Sequence, residues 1–165
     1  MRRTIALLAG LALLGAANWT VWQRERQLAE GGVVLLELAP VDPRSLMQGD
    51  YMALNFRVAN DAFRRDRTRN TEDGRIIVKL DARGVGAYAR RDGGEPLAAD
   101  EARLRYRVRD GRVKFATNAF FFQEGQAAGY AKARYGEFRA APDGELLLTH
   151  LRSETLERLG PPAAH

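Results

Sequence analysis

The first strongly hydrophobic part of the chain is an uncharged run from Ile5 to Trp22. A helix over this run, rising 1.5 Å per residue, would be about 27 Å long, close to the thickness of a bilayer core. Trp19 and Trp22 end the run, where amphipathic indole rings favour the headgroup region. The pattern predicts a transmembrane signal-anchor helix over 5–22, after a cytoplasmic tail at 1–4 and before a juxtamembrane linker at 23–32.

The same run is compatible with a cleavable signal peptide. Its hydrophobic core would be Ile5–Leu14, and Gly15, Ala16 and Ala17 would form a small-residue cleavage site. We favour the uncleaved anchor, because the hydrophobic run continues to the tryptophans. Both interpretations export the rest of the chain. Arginines at both ends of the run nearly balance, but the long downstream domain favours an internal N-terminus.

Downstream of the linker the hydrophobic pattern is typical of strands. Val33–Leu38 is apolar at almost every position, and Met52–Val58 alternates with a period of two. Three hairpins follow, pairing 75–81 with 85–91, 102–109 with 112–115, and 137–140 with 145–151. Short helices are possible at 61–69 and 153–159. The sequence therefore predicts a mainly β domain over 33–159, an antiparallel sandwich or partly closed barrel, before a disordered tail at 160–165.

Composition narrows the chemistry that such a domain can carry. A hydrophobic fraction of 45% and a charged fraction of 28% are typical of a globular protein. There are no cysteines, which excludes disulfides, thiolate metal sites and thiol nucleophiles. With only two histidines, and without a phosphate-binding glycine pattern, the sequence indicates neither a metal nor another cofactor.

Basic residues alternate along one predicted hairpin, and the net charge is +5. These residues are Arg103, Arg105, Arg107 and Arg109, joined by Arg112 and Lys114 on the return strand. One interpretation is a solvated face paired with Glu101, Glu137 or Glu145. The other is a site for anionic lipid headgroups or another anionic ligand of the envelope, to which Arg64, Arg65, Arg67 and Arg69 could contribute. Because the domain is exported, nucleic acid is not an expected partner.

The most distinctive stretch of the sequence lies between Asp42 and Phe56. It resembles the GDYXXLXY family, which is named for its own motif and consists of uncharacterised bacterial proteins with one N-terminal membrane helix. The similar positions are Asp42, Pro43, Arg44, Gly49, Asp50, Tyr51, Leu54, Phe56, Glu124 and Gly125. Phe56 stands where the motif has a second tyrosine, so a role for that hydroxyl is absent here.

The resemblance covers nearly the whole chain and implies a placement rather than a chemistry. It implies a single-pass protein of the bacterial inner membrane, with its C-terminal domain in the periplasm and a multi-pass membrane protein as partner. We therefore expect an accessory or partner-binding protein and not an enzyme. From the residues alone, Gly49 and Asp50 are suited to a turn that fixes the register of the following strand.

A hydrolase or peptidase with a Ser/Lys pair is the less favoured alternative. Signal-peptidase-like β folds use a Ser/Lys pair, and Ser45 activated by a desolvated Lys79 is the weak candidate here. In those enzymes the serine precedes the proline of the motif, whereas 33–42 contains no serine.

The aromatic run Phe120–Phe122 lies in a predicted extended segment. Because side chains alternate along a strand, two of the three rings are expected in the core and one facing outward.

Overall fold

The computed structural model describes residues 2–39, 47–48, 51–63, 72–109, 112–117 and 119–160, without the side chains of 2–7, 47–48 and 112. The chain forms two compact units, Met1–Gly31 and Gly32–His165.

The first unit is the helix α1 (Arg2–Glu30). It contains the predicted membrane segment and continues through most of the predicted linker. Large apolar side chains are exposed along it, among them Leu11, Leu13 and Trp19. Of the helices within the described ranges, none is both long enough and apolar enough to cross a bilayer.

The second unit is mainly β. Its strands are β1 (Gly32–Glu37), β2 (Met47–Gln48), β3 (Tyr51–Ala53), β4 (Gly74–Leu80), β5 (Gly86–Arg91), β6 (Glu101–Arg109), β7 (Arg112–Phe115), β8 (Ala119–Phe121), β9 (Tyr135–Ala140), β10 (Leu146–Arg152) and β11 (Arg158–Leu159). Within the residues that the structure describes, two short helices, α2 (Arg57–Phe63) and α3 (Ala127–Tyr130), lie between strands.

The described strands form three antiparallel sheets. The first has the order β1-β9-β10-β11, the second β5-β4-β6-β7 and the third β2-β3-β8. Two backbone hydrogen bonds join the first sheet to the second: Leu35 N–H donates to Gly84 O at 2.9 Å, and Arg105 N–H donates to Gly144 O at 2.8 Å. Among the described strands no sheet returns to its own first strand, so none closes as a barrel.

One hydrophobic core lies among these sheets. Leu36 and Phe138 enter it from the first sheet, and Ile76 and Leu104 from the second; none of the four is exposed. Phe56 packs edge-on against Phe138 with ring centroids 5.3 Å apart. The predicted strand at 33–38 is confirmed by β1, and the three predicted hairpins are confirmed by the antiparallel pairing of β4 with β5, β6 with β7 and β9 with β10.

Two predicted elements differ in the structure. The strand expected over Met52–Val58 ends at Ala53, and Arg57 begins α2. The apolar positions are nevertheless buried as expected, because Val58 reaches the core from the helix. The possible helix at 153–159 is wrong, since that segment forms a turn and then β11. The possible helix at 61–69 overlaps α2 only to Phe63, and 64–71 lies outside the described residues.

Candidate functional site

The described motif residues lie on the motif strand β3 and directly after it. Leu54 and Phe56 are buried in the core, with exposures of 1% and 3%. Tyr51 pairs across the strands with Phe121. The motif residues Asp42, Pro43, Arg44, Gly49 and Asp50 lie outside the described residues, so the turn expected there is untested.

The aromatic run divides as expected. Phe120 and Phe122 pack against the core and contact Tyr130, with ring centroids 5.1 Å and 5.3 Å away. Phe121 is 74% exposed and lies 5.8 Å from the Tyr51 ring. The small third sheet therefore presents an aromatic pair at its outer face.

The pair Glu124-Gly125 follows this run in a turn. Gly125 has a φ of +82°, a left-handed conformation that favours glycine. Gln126 N–H donates to Gln123 O at 3.1 Å and closes the turn. At Gly125 the similarity to the family therefore coincides with a backbone conformation that favours glycine.

A cavity of about 550 Å³ lies beside the motif strand. We call it the motif-side cavity. It is bounded by the end of β1, the motif strand, the segment before β9 and the turn after β10. Its lining consists of Leu38, Ala39, Met52, Ala53, Asn55, 131–134, Ser153, Glu154, Thr155 and Glu157. Backbone hydrogen bonds hold these segments together: Leu38 N–H donates to Arg134 O, Ala39 N–H to Asn55 O and Arg134 N–H to Arg152 O.

The arginines of the predicted basic hairpin lie against carboxylates. Arg103 donates to Asp92 at 2.7 Å, and Arg109 to Asp73 at 3.0 Å. Arg105 and Arg107 both donate to Glu145 Oε1, at 2.9 Å and 2.8 Å. Of the partners that the sequence proposed, only Glu145 contacts this hairpin in the described ion pairs.

The remaining members of the hairpin lie opposite these arginines. Lys114 is in register with Arg107, and Arg112, whose side chain lies outside the description, is in register with Arg109.

Two of the carboxyls that pair with the β6 arginines have a lowered pKa. The Val108 N–H and the Arg109 guanidinium lower the pKa of Asp73. At Asp92, burial favours the neutral acid, but the Gly94 N–H and Arg103 outweigh it and lower the pKa.

Glu137 is a buried charge whose role was not predicted. It is 1% exposed, in the middle of β9. Arg152 Nε donates to its Oε2 at 2.6 Å, and Arg158 Nη2 donates to its Oε1 at 3.0 Å. His150 Nδ1 lies 3.8 Å from Oε1 and is buried without a hydrogen-bond partner among the residues that the structure describes. The only signal in the sequence was a charged residue between apolar neighbours.

The two candidates for a Ser/Lys pair are not brought together by any described contact. Ser45 lies outside the described residues. The Lys79 side chain is 67% exposed, and its Nζ lies 3.3 Å from Asp100 Oδ2. The desolvation that would make a lysine a general base is absent at Lys79. Nor do the described side chains form any group of three potential metal ligands.

A family model described as GDYXXLXY protein matches residues 13–151, which is most of the chain. No curated protein and no solved structure matches.

Proposed function

Because the chain belongs to the GDYXXLXY protein family, we propose that it is a membrane-anchored accessory protein that binds a multi-pass membrane protein. In this proposal α1 contains a single transmembrane anchor. The β unit, an open antiparallel sandwich, lies on the periplasmic side of a bacterial inner membrane.

The observation that carries the proposal is the exposure of large apolar side chains along α1. Leu8, Leu11, Leu13 and Leu14 are each more than 60% exposed. Soluble surfaces rarely expose contiguous apolar patches of this kind, and such patches mark membrane or protein contacts.

The composition at the end of the apolar run also supports an anchor. Trp19 and Trp22 lie with ring centroids 5.2 Å apart, and the Arg26 guanidinium lies 5.6 Å from the Trp22 ring. Tryptophans followed by arginine are typical of the boundary between hydrocarbon and water. In the sequence the uncharged run begins at Ile5, ahead of the described side chains. Counted from Ile5 to Trp22, the run is long enough for a membrane-spanning helix.

Features of the β unit favour binding over catalysis. Phe121 is an exposed aromatic side chain beside the motif residue Tyr51. Aromatic residues are enriched at the centres of protein interfaces. The candidate base Lys79 lacks the burial that nucleophile activation requires.

The anchor is tested by adding charge to the apolar run. Leu11→Arg with Leu14→Arg should convert the protein from a carbonate-resistant to a carbonate-extractable form, because each arginine costs about 3 kcal/mol at the centre of a membrane helix. Gln27→Arg with Leu28→Arg adds the same charge to α1 outside the run and should leave the protein in the membrane pellet.

A reporter fusion tests the orientation. Alkaline phosphatase joined after His165 should be active, because it folds only outside the cytoplasm. An inactive phosphatase together with a fluorescent cytoplasmic reporter at the same position would refute the proposed placement.

Purification in mild detergent tests the accessory role. It should recover a multi-pass protein in a fixed ratio, and a monomer without such a companion would contradict the role.

A further inference from the structure

The family motif leaves three positions open, and all three line the motif-side cavity. In this chain they are Met52, Ala53 and Asn55. Of the positions that the motif specifies, the three that the structure describes point elsewhere: Leu54 and Phe56 into the core, and Tyr51 against Phe121. These specified side chains therefore belong to the framework, while Ala53 and Asn55, with the core residue Met52, form one wall of the cavity.

The cavity has the size of a ligand site and an apolar part in its lining. Its volume of about 550 Å³ lies inside the range of roughly 300–1,000 Å³ that is usual for such sites. Met52 and Ala39 are buried apolar residues in its lining. An apolar side chain of a ligand would contact these residues.

Charges of both signs surround this apolar part. Lys132 and Arg134 lie on the segment before β9, and Glu154 and Glu157 on the turn after β10. No ion pair or side-chain hydrogen bond joins these four charged groups to any part of the chain that the structure describes. The basic hairpin differs, because each of its four β6 arginines donates to a carboxylate.

We propose that the motif-side cavity binds an extended segment of the partner protein in which an acidic and a basic residue flank an apolar one. The apolar side chain contacts Met52 and Ala53, the acidic group pairs with Lys132 or Arg134, and the basic group pairs with Glu154 or Glu157. Complementary charges of this kind select the partner and its direction in the site. The inference rests on the accessory function proposed above, and it specifies the side chains by which the partner binds.

Short peptides test the inference on the full chain in detergent micelles. The probes are blocked peptides with one acidic and one basic residue, separated by one or two leucines in either order. The controls are Glu-Leu-Glu and Lys-Leu-Lys. The chain has three methionines, so ¹³C-methyl labelling gives a Met52 resonance inside the cavity, with Met1 as a reference. At least one mixed-charge peptide should shift the Met52 signal and bind about threefold or more tightly than both controls.

Charge reversal should change the preference in a defined direction. Lys132→Glu with Arg134→Glu should favour Lys-Leu-Lys, and Glu154→Lys with Glu157→Lys should favour Glu-Leu-Glu. Ala53→Trp should fill the cavity and weaken all binding at least tenfold, whereas Ala87→Trp, on exposed β5 backbone outside the cavity, should bind like the wild type. Melting temperatures of each variant separate lost binding from lost folding.

Equal affinities for mixed and single-sign peptides, or an unchanged preference after charge reversal, would overturn the inference. An unshifted Met52 signal with every peptide would do the same. These outcomes are distinct from failure of the accessory role, because carbonate extraction and co-purification do not depend on peptide binding.

Discussion

Glu137 shows how a single buried charge can be compatible with a stable fold. Its carboxylate accepts hydrogen bonds from Arg152 and Arg158, which are 15 and 21 residues further along the chain. The second arginine lies on β11, so this carboxylate ties the short last strand to the middle of the first sheet. A charge removed from water is tolerated only when it is paired and hydrogen-bonded.

Removing that charge should destabilise the β unit strongly. We expect Glu137→Leu to lower the free energy of unfolding by about 3 kcal/mol or more, because two guanidinium groups lose their counter-ion. Urea denaturation followed by circular dichroism measures this change. Glu95→Leu removes the exposed carboxylate that lies 3.2 Å from Arg90 and should change the midpoint far less. Equal losses in both variants would contradict the role of Glu137.

His150 should make stability depend on pH. Burial and the nearby Arg158 lower its pKa below the usual value of about 6.5, although Glu137 opposes this, and Arg152 and Arg139 add to the effect. The folded state therefore resists protonation, so stability is full above pH 6.5 and falls as the pH drops below it, towards the lowered pKa.

Melting temperatures at pH 7.5 and pH 5.5 measure the effect. His150→Gln should reduce the difference between the two melting temperatures, whereas His165→Gln, which changes the only other histidine, should not.

Glu137 affects stability over a lower pH range than His150. Burial raises the pKa of this carboxyl, but Arg152 and Arg158 outweigh burial and lower it below about 4.5. The stabilisation from Glu137 is therefore lost only as the pH falls through that lower value.

At the scale of elements, the basic hairpin places like charges opposite one another. Arg105 is in register with Arg75, and Arg107 with Lys114. Such pairs destabilise a sheet unless neighbours compensate. Glu145, from the segment just before β10, supplies the compensation by accepting from both Arg105 and Arg107. The sequence identified the charged face and proposed three carboxylates as partners, but only the packing of the two sheets decided that Glu145 is the one that pairs with it.

Removing the compensating carboxylate should make this face more attractive to polyanions. We expect Glu145→Gln to elute from a heparin column at higher salt than the wild type. Glu95→Gln changes the net charge equally but leaves the pairs of Arg105 and Arg107 intact, so it should elute earlier than Glu145→Gln. Identical elution of the two variants would show that only net charge matters.

The turn before β10 is a second element whose role depends on a neighbouring sheet. Gly144 has a φ of +90°, and a Cβ built there would lie 3.1 Å from Arg105 N. Gly84 has a φ of +79°, but a Cβ there meets open space. Gly84→Ala should therefore cost roughly 1–2 kcal/mol through backbone strain alone, and Gly144→Ala distinctly more. Thermal unfolding of both variants tests this order.

At the scale of the whole molecule, the described core cluster of the β unit is composed of residues from Val34 onward. The β unit should therefore fold without α1. A chain starting at Gly32 should keep the β-type circular dichroism spectrum and a cooperative melt, whereas one starting at Ala39 should not, because it lacks Val34 and Leu36. Aggregation of the first truncation would contradict independent folding.

The sequence by itself determined the family, the mainly β character and the positions of the hairpins. These follow from local patterns: alternation with a period of two, turn residues and a motif of near neighbours. It also determined that one ring of Phe120–Phe122 faces outward, because neighbouring side chains alternate along a strand.

Tertiary structure alone decided which distant residues meet. The pairing of Glu137 with Arg158, the compensation of the basic hairpin by Glu145 and the motif-side cavity all join segments far apart in the chain. Tertiary contacts also decided that the predicted strand ends at Ala53. Val58 and Phe63 lie on α2 and are buried, and the ring centroids of Phe63 and Tyr106 are 4.8 Å apart. The free energy of such contacts depends on which surfaces the fold brings together, and a local pattern carries no information about that.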